Sequence, residues 1–248
     1  HWPQITLAGT ITSTADTNHG RILTAQAGQT LLFLLTMLLA GMVLSNLVEE
    51  KTNKIIEILA ASVPIDAIFL GKLFAMLGMA FIGISVWFGA GAIAVLMTGA
   101  HLPVLATPAV GWPLFFELAI AYFTMAYLLL GSLFLAIGSM ASTVREVQTL
   151  SMPVTMMQVL LFFFASLAVT KMGQPMEYVA IAFPFSSPFA MLARAAQDEA
   201  LWPHVLAIGW QAMCVIVFVK AGARLFRSRV MKSGPAAPGK KRRLAFRR

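Results

Sequence analysis

The sequence predicts an all-α protein: a polytopic helical membrane bundle of five spans, with an amphipathic helix at one membrane face and a re-entrant helical hairpin at the other. Three observations predict it. Of 248 residues, 59% are hydrophobic and only 11% charged, whereas an ordinary soluble domain carries roughly a quarter charged residues. Five stretches are apolar over about the 20 residues that a helix needs to cross roughly 30 Å of hydrocarbon. No period-two strand pattern is visible, and backbone in lipid must pair internally, so the spans are helices.

The elements follow in chain order. Residues 1–29, polar and rich in threonine, read as the end of an extracytoplasmic segment, and nothing in them reads as a basic, cleavable signal segment. The first span is Thr30 to Val48. It runs into "NLVEEKTNKIIEIL", Asn46 to Leu59, where Glu50 and Lys54 are four apart, Lys54 and Glu57 three apart, and Ile55, Ile56 and Leu59 lie on the other side. That pattern is an amphipathic helix on the membrane surface, ended near Pro64; its charges satisfy one another, so the pattern alone does not prove a docking site. The second span, Leu73 to Met97, carries small residues at Ala75, Gly78, Ser85, Gly89 and Ala92, a lane that allows close helix packing.

The third span, Leu114 to Met140, begins after "GWP" and holds Glu117, the one acid inside a predicted span. Intramembrane carboxylates are functional candidates by default. Glu117, however, lies about one turn from the helix N-terminus, where the dipole favours an anion and water is near, and the sequence leaves both readings open. The turn "SMASTVREVQTLSMP", with Arg145 and Glu146 as its charges, reads as a polar connection, with Pro153 opening the fourth span, Met152 to Thr170. Residues 171–201 include "YVAIAFPFSSPFAMLARAA", apolar enough to enter the membrane but interrupted at Pro184 and Pro188. Two short helices dipping into the outer leaflet account for this better than a full span. The last span is Pro203 to Val219, closing a transmembrane domain of residues 30–224, and residues 225–248 form a basic tail.

Lysine and arginine bias orients the bundle. With the loop from Glu49 to Lys72 in the cytoplasm, Lys51, Lys54, Lys72, Arg145 and the eleven bases from Lys220 onward lie inside, leaving Arg21, Lys171 and Arg194 outside. The N-terminus of the sequence is then outside and its C-terminus cytoplasmic. Trp112 and Trp202 fall at the outer aromatic belt, and Pro113 and Pro203 at first helical turns.

Several chemistries lose support. Cys214 is the single cysteine, so neither an intramolecular disulfide framework nor a cysteine cluster for a metal exists. Intramembrane glutamic proteolysis by Glu49 and Glu50 lacks a base: His1, His19, His101 and His204 all fall on the opposite side. No HExxH and no GxSxG occurs. "GPAAPGKK" has the spacing of a phosphate loop but places Lys241 where Ser or Thr is needed and follows no strand. No nucleotide-binding site and no catalytic site is expected, and the basic tail reads as a lipid-facing segment rather than a nucleic-acid site.

With "EEKTNKIIEILAASVPIDAIFLGK", "GSLFLAIGSMASTVREVQTLSMP" and "FPFSSPFAMLARAA" in that order, followed by the basic tail, residues 31–234 resemble the permease subunit of type-two ABC transporters, in the branch of sodium-efflux permeases and ABCA-like exporters. The resemblance implies a membrane-spanning exporter subunit of the inner membrane, coupled to a separate cytoplasmic ATPase that binds ATP and magnesium and paired with a second permease subunit. Carried over, Glu49, Glu50, Lys51, Lys54, Ile56, Glu57, Leu59, Gly71 and Lys72 belong to the coupling segment, Lys54 standing where the family more often has arginine. Arg145, Glu146 and Gln148 belong to the second cytoplasmic turn, and Pro184, Pro188 and Arg194 to the outer re-entrant hairpin. The family has six spans with a sizeable outside domain after the first, so the resemblance implies that the first span and most of that domain precede this sequence. A non-transporting membrane scaffold is the alternative of a different class, separated from a transporter by whether an ATPase co-purifies.

Overall fold

The computed structural model describes residues 14–52, 63–99, 105–141 and 143–230. Among them are seven helices and no strand: α1 Thr14–Thr52, α2 Ile65–Thr98, α3 Trp112–Met140, α4 Val144–Val169, α5 Pro175–Ala182, α6 Ser187–Gln197 and α7 Trp202–Val230. Five of these, α1 to α4 and α7, are long and apolar enough to cross a membrane. The predicted five-span helical bundle is therefore the observed architecture, and the two short helices α5 and α6 form the hairpin between α4 and α7.

Helix α3 is the axis of the bundle. Every residue from Ala126 to Ser132 is buried, and a helix apolar on all sides belongs inside a ring of others. Helices α1, α7, α6 and α2 supply that ring. Two glycines set close approaches among α2, α3 and α7. A Cβ on Gly131 would stand 3.0 Å from Leu73 of α2, and one on Gly222 of α7 would stand 2.9 Å from Phe69 and 3.1 Å from the Ser132 carbonyl. Phe69 also stacks at a tilt on Phe226, with ring centroids 5.6 Å apart, so α2, α3 and α7 meet around one aromatic side chain.

Helix α2 is joined to the rest on one side and at one end. Its buried residues are Phe69, Leu73, Leu77 and Ala80, a single stripe at helical spacing confined to its first half. Beyond it Trp87, Leu96 and Met97 are almost wholly exposed. The small-residue lane lies off this stripe: Ala75, Gly78, Ser85, Gly89 and Ala92 are all exposed, and a Cβ on Gly78 or Gly89 would meet nothing within 4 Å. Among the described residues Gly78 and Gly89 of the lane approach no other helix; the larger residues of the stripe make the contact.

The element bounds differ from the expected ones in physically instructive ways. Helix α1 starts at Thr14, not Thr30, because its polar turns find partners: Thr24 donates to the Gly20 and Ala106 carbonyls, and the Gln29 amide donates to Ser166. Pro153 does not open the fourth span. It lies inside α4, which begins at Val144 under a Thr143 cap that accepts from the Glu146 N–H. A proline costs a helix one hydrogen bond, here the one to the Thr149 carbonyl, but nine residues of helix precede it and carry the element through. The hairpin's second helix is sheltered by protein rather than by lipid. All residues of α6 from Ser187 to Ala193 are buried, packed on α1, α3 and α4.

The close approach at Gly222 is directly testable. Gly222→Ala should lower stability by about 1–3 kcal/mol, because the new methyl meets a backbone carbonyl that does not yield. Gly209→Ala, on the same helix but with open space around its Cβ, should leave the melting temperature in detergent unchanged or slightly raised.

Candidate functional site

The bundle has two ends of different character. At one, the C-termini of α1, α3 and α7 meet the N-termini of α2 and α4. Here Glu50, in the last turn of α1, forms an ion pair with Lys72 of α2, whose side chain is only 9% exposed. A second pair joins Asp66 in the first turn of α2 to Arg227 near the end of α7, at 3.2 Å. Both its side chains are about half exposed, so it contributes little by itself, a few tenths to about 1 kcal/mol. The Glu50–Lys72 pair is more sheltered, and removing either partner strands the other in a poorly hydrated position. An apolar cluster of Leu44, Phe134, Ala141 and Val147 completes this end, drawing the first turns of α4 against α1 and α3.

The sequence-predicted coupling residues fall largely at this end. Glu49 and Gly71 are exposed, and Arg145, Glu146 and Gln148 lie exposed in the first two turns of α4. Lys54, Ile56, Glu57, Leu59 and the Lys51 side chain lie outside the described residues, so the amphipathic helix expected there has no structural account. The structure brings together Glu50 and Lys72, which the sequence had only placed in one segment.

The other end holds the hairpin and most of the buried polar chemistry. Arg194 of α6 donates to Glu177 of α5 at 2.8 Å and to Asp198, one turn on, at 2.7 Å. The Glu177 side chain is 4% exposed, and its second oxygen accepts from the Gly173 N–H at 2.6 Å. Gly173, at φ 75°, stands in the left-handed region where a residue with a side chain is strained. Asp198 also accepts from the Ala200 N–H at 3.0 Å, and this fixes the link to α7. Burial by itself would lower the Arg194 pKa, but the Asp198 and Glu177 carboxylates outweigh it and hold the guanidinium above its ordinary value. For Asp198 burial acts upward, and the Ala200 N–H and Arg194 overcome it, leaving the carboxyl below the usual carboxylate range.

Further polar contacts tie the hairpin to α4 and α7. At its tip the Ser186 hydroxyl donates to the Ala180 carbonyl, Gln158 of α4 to the Phe185 carbonyl, and Gln211 of α7 to the Ser187 hydroxyl. The Trp210 indole donates to the Ala182 carbonyl at 2.9 Å. Tyr122 of α3 and His204 of α7, both buried, share a hydrogen bond of 2.7 Å. Pro184 stands in the turn between the two helices and Pro188 is buried in the first turn of α6. Of the hairpin residues expected from the sequence, only Arg194 carries a charge, and it is the centre of the network. Glu117 is exposed on the outside of α3, apart from that network.

Glu177, Asp198, Tyr122 and His204 were missed. The Arg194–Asp198 spacing of four was a legible helical pair, but nothing local links Glu177 to Arg194 or Tyr122 to His204, which meet only through the hairpin's fold. Among the described residues no group of histidine, cysteine and carboxylate side chains has the arrangement to hold a metal. Glu50 is engaged by Lys72, and His19 and His204 lie at the far end of the bundle, so among the described residues no histidine faces the Glu49–Glu50 pair.

Residues 7–224 match the model of a family described as ABC-2 family transporter protein. The uncharacterized protein MJ1024 of Methanocaldococcus jannaschii is 25% identical over 203 residues, covering 81% of this chain and 48% of the relative. The uncharacterized protein YhaP of Bacillus subtilis is 25% identical over 224 residues, covering 84% of this chain and 51% of the relative. The chain spans about half the length of the curated relatives it matches. No solved structure matches it.

Two outcomes test the hairpin network. Arg194→Met strands the Glu177 carboxylate and should cost about 3–5 kcal/mol, while the double change with Glu177→Gln recovers a large part of it. Folded Asp198 titrates below its unfolded value of about 3.9, so its contribution is complete above that value and is lost as pH falls through the folded pKa. The melting temperature should therefore drop on acidification below about pH 4, and Asp198→Asn should start lower at neutral pH and drop less steeply.

Proposed function

This chain belongs to the ABC-2 family of transporter proteins, and from that premise we propose that it is the membrane-spanning permease component of an ATP-driven exporter of the inner membrane. In this reading the end that carries Glu50, Lys72, Asp66 and Arg227 faces the cytoplasm and meets a separate ATPase, which binds ATP and magnesium. A second permease subunit completes the transporter. The membrane component itself follows from the family and the five spanning helices; the direction of transport, the orientation and the coupled ATPase are the proposal.

The observation that carries it is the bracketing of residues 53–62 by ion pairs. Glu50 and Lys72 fasten the helix before this segment to the helix after it, and Asp66 with Arg227 fastens that second helix to α7. A push on anything seated between Glu49 and Leu59 is therefore delivered to α1, α2 and α7 together. Arg145, Glu146 and Gln148 at the start of α4 lie at the same end and extend that face. A bare surface helix needs no such fastening. The excess of lysine and arginine at this end supports its cytoplasmic orientation.

If the segment docks its ATPase chiefly through apolar contact, Ile56→Asp or Leu59→Asp should abolish co-purification of the ATPase and transport-linked hydrolysis, since burying an unpaired charge costs several kcal/mol and affinity falls tenfold for each 1.4 kcal/mol. Lys54→Ala should have a much smaller effect. Glu50→Lys should weaken coupling, with partial recovery when Lys72→Glu is added. Retention of the ATPase and of its stimulated hydrolysis in both aspartate variants, at matched membrane expression, would remove the coupling role. Orientation is read separately: after Cys214→Ser, single cysteines at Thr107 and Gln174 should react with a membrane-impermeant reagent from outside intact cells.

A further inference from the structure

A cleft of about 560 Å³ lies between α1 and α2, two helices that scarcely touch, and Tyr127 of α3 stands in its back wall. Its sides are apolar. Leu38 and Met42 come from α1, and Met76, Met79, Trp87 and Phe88 from α2. Thioethers adapt to the shape of what they touch and make favourable contacts with ring edges, and the two aromatic side chains favour a further ring beside them. No charged residue lines the cleft.

Tyr127 is the informative residue of that lining. It is 1% exposed, and its hydroxyl has no hydrogen-bond partner among the described residues. Unlike the orphaned oxygens of Gln29 and Thr36, this hydroxyl is not fully enclosed, so an occupant of the cleft can reach it. Buried hydroxyls are hydrogen-bonded as a rule, and an orphan favours whatever pairs with it. Tyr127 stands fifteen residues after Trp112 and thirteen before Met140, about 20 Å from either end of α3 and so near the middle of the bilayer. The polar groups of a lipid begin roughly 15 Å from that plane. An acyl chain lying in the cleft leaves the hydroxyl without a partner.

We propose that this cleft binds an uncharged aromatic small molecule that carries an acceptor oxygen between apolar groups, its rings against Trp87, Phe88 and the methionines and its oxygen accepting from the Tyr127 hydroxyl. The lining offers nothing to pair with a charge at this depth, so an ionic ligand is disfavoured. The hydrogen bond separates this site from the unselective lipid contact made by any spanning helix. Binding rests on the cleft alone and depends neither on transport nor on an ATPase.

The test uses the full chain in lipid nanodiscs with benzophenone, a neutral ketone between two rings, as a photoreactive probe. Its label should fall on Met42, Met76 and Met79 of the cleft in preference to Met156 and Met213, which are exposed elsewhere. At equal membrane concentration 9-fluorenone should compete about fivefold better than fluorene, its isostere without the oxygen, a preference the size of one net hydrogen bond. Tyr127→Phe removes only the unpartnered hydroxyl and should bring the two competitors level while labelling persists. Gly83 lines the cleft with open space around its Cβ, so Gly83→Leu should reduce labelling severalfold. Gly91→Leu, equally open but outside the cleft, should not. Equal competition in the unaltered chain, as a cleft filled by lipid or already satisfied by water gives, overturns the proposal. Labelling spread evenly over Met156 and Met213, or a fluorenone preference that survives Tyr127→Phe, overturns it as well.

Discussion

The Glu177–Arg194 contact is the interaction on which the hairpin end depends. Two short helices cannot hold themselves inside a bundle by apolar packing alone, because the turn between them and the link after them present backbone groups that lipid leaves unpaired. Arg194 answers by joining α5 to α6 and, through Asp198, by setting the link to α7. Once this frame is set, the surrounding helices reach the tip with Gln158, Gln211 and Trp210. Each of these hydrogen bonds satisfies a group that the frame has already positioned. The ion pair thus determines geometry more than it adds stability, as is common for charges held out of water.

The two ends divide the work of rigidity and motion. At the hairpin end, charge, amide and aromatic contacts link α3, α4, α5, α6 and α7, and the buried tyrosine and histidine add a bond across the bundle. At the other end the described helices are held by two ion pairs, one of them half exposed, a small apolar cluster and the packing of Phe69 against Phe226 and Gly222. Regions with few buried contacts open first. An element that must respond to a partner belongs at the second end, and a structure that must stay closed belongs at the first.

Much of this architecture was legible in the sequence, and what was not has a physical reason. Hydropathy located all five spans, since crossing a bilayer demands about 20 apolar residues whatever the fold. Pro184 and Pro188 announced the hairpin because proline interrupts a helix locally. Helix ends were less legible: α1 extends to Thr14 through bonds from Thr24 to Ala106 and from Gln29 to Ser166, contacts made across 82 and 137 residues. The same holds for the site. Arg194 and Asp198 lie one helical turn apart and show in the sequence, whereas Glu177 acquires its meaning only when α5 folds back on α6. The small-residue lane on α2 misled because spacing tells which residues share a face and not which face is turned inward.

That helix has one more consequence. Gripped by Phe69, Leu73, Leu77 and Ala80, with Phe81 edge-on to Phe123 and Ile84 against the core, and exposed beyond them, α2 is a lever with its fulcrum at one end. From Ser85 to Thr98 the free arm is about 20 Å long, so a tilt of about 10° at the fulcrum carries its tip roughly 3 Å. The side chains along that arm touch lipid before and after such a swing. No apolar surface changes solvent, and the hydrophobic effect, which holds the rest of the bundle together, places no barrier against the movement.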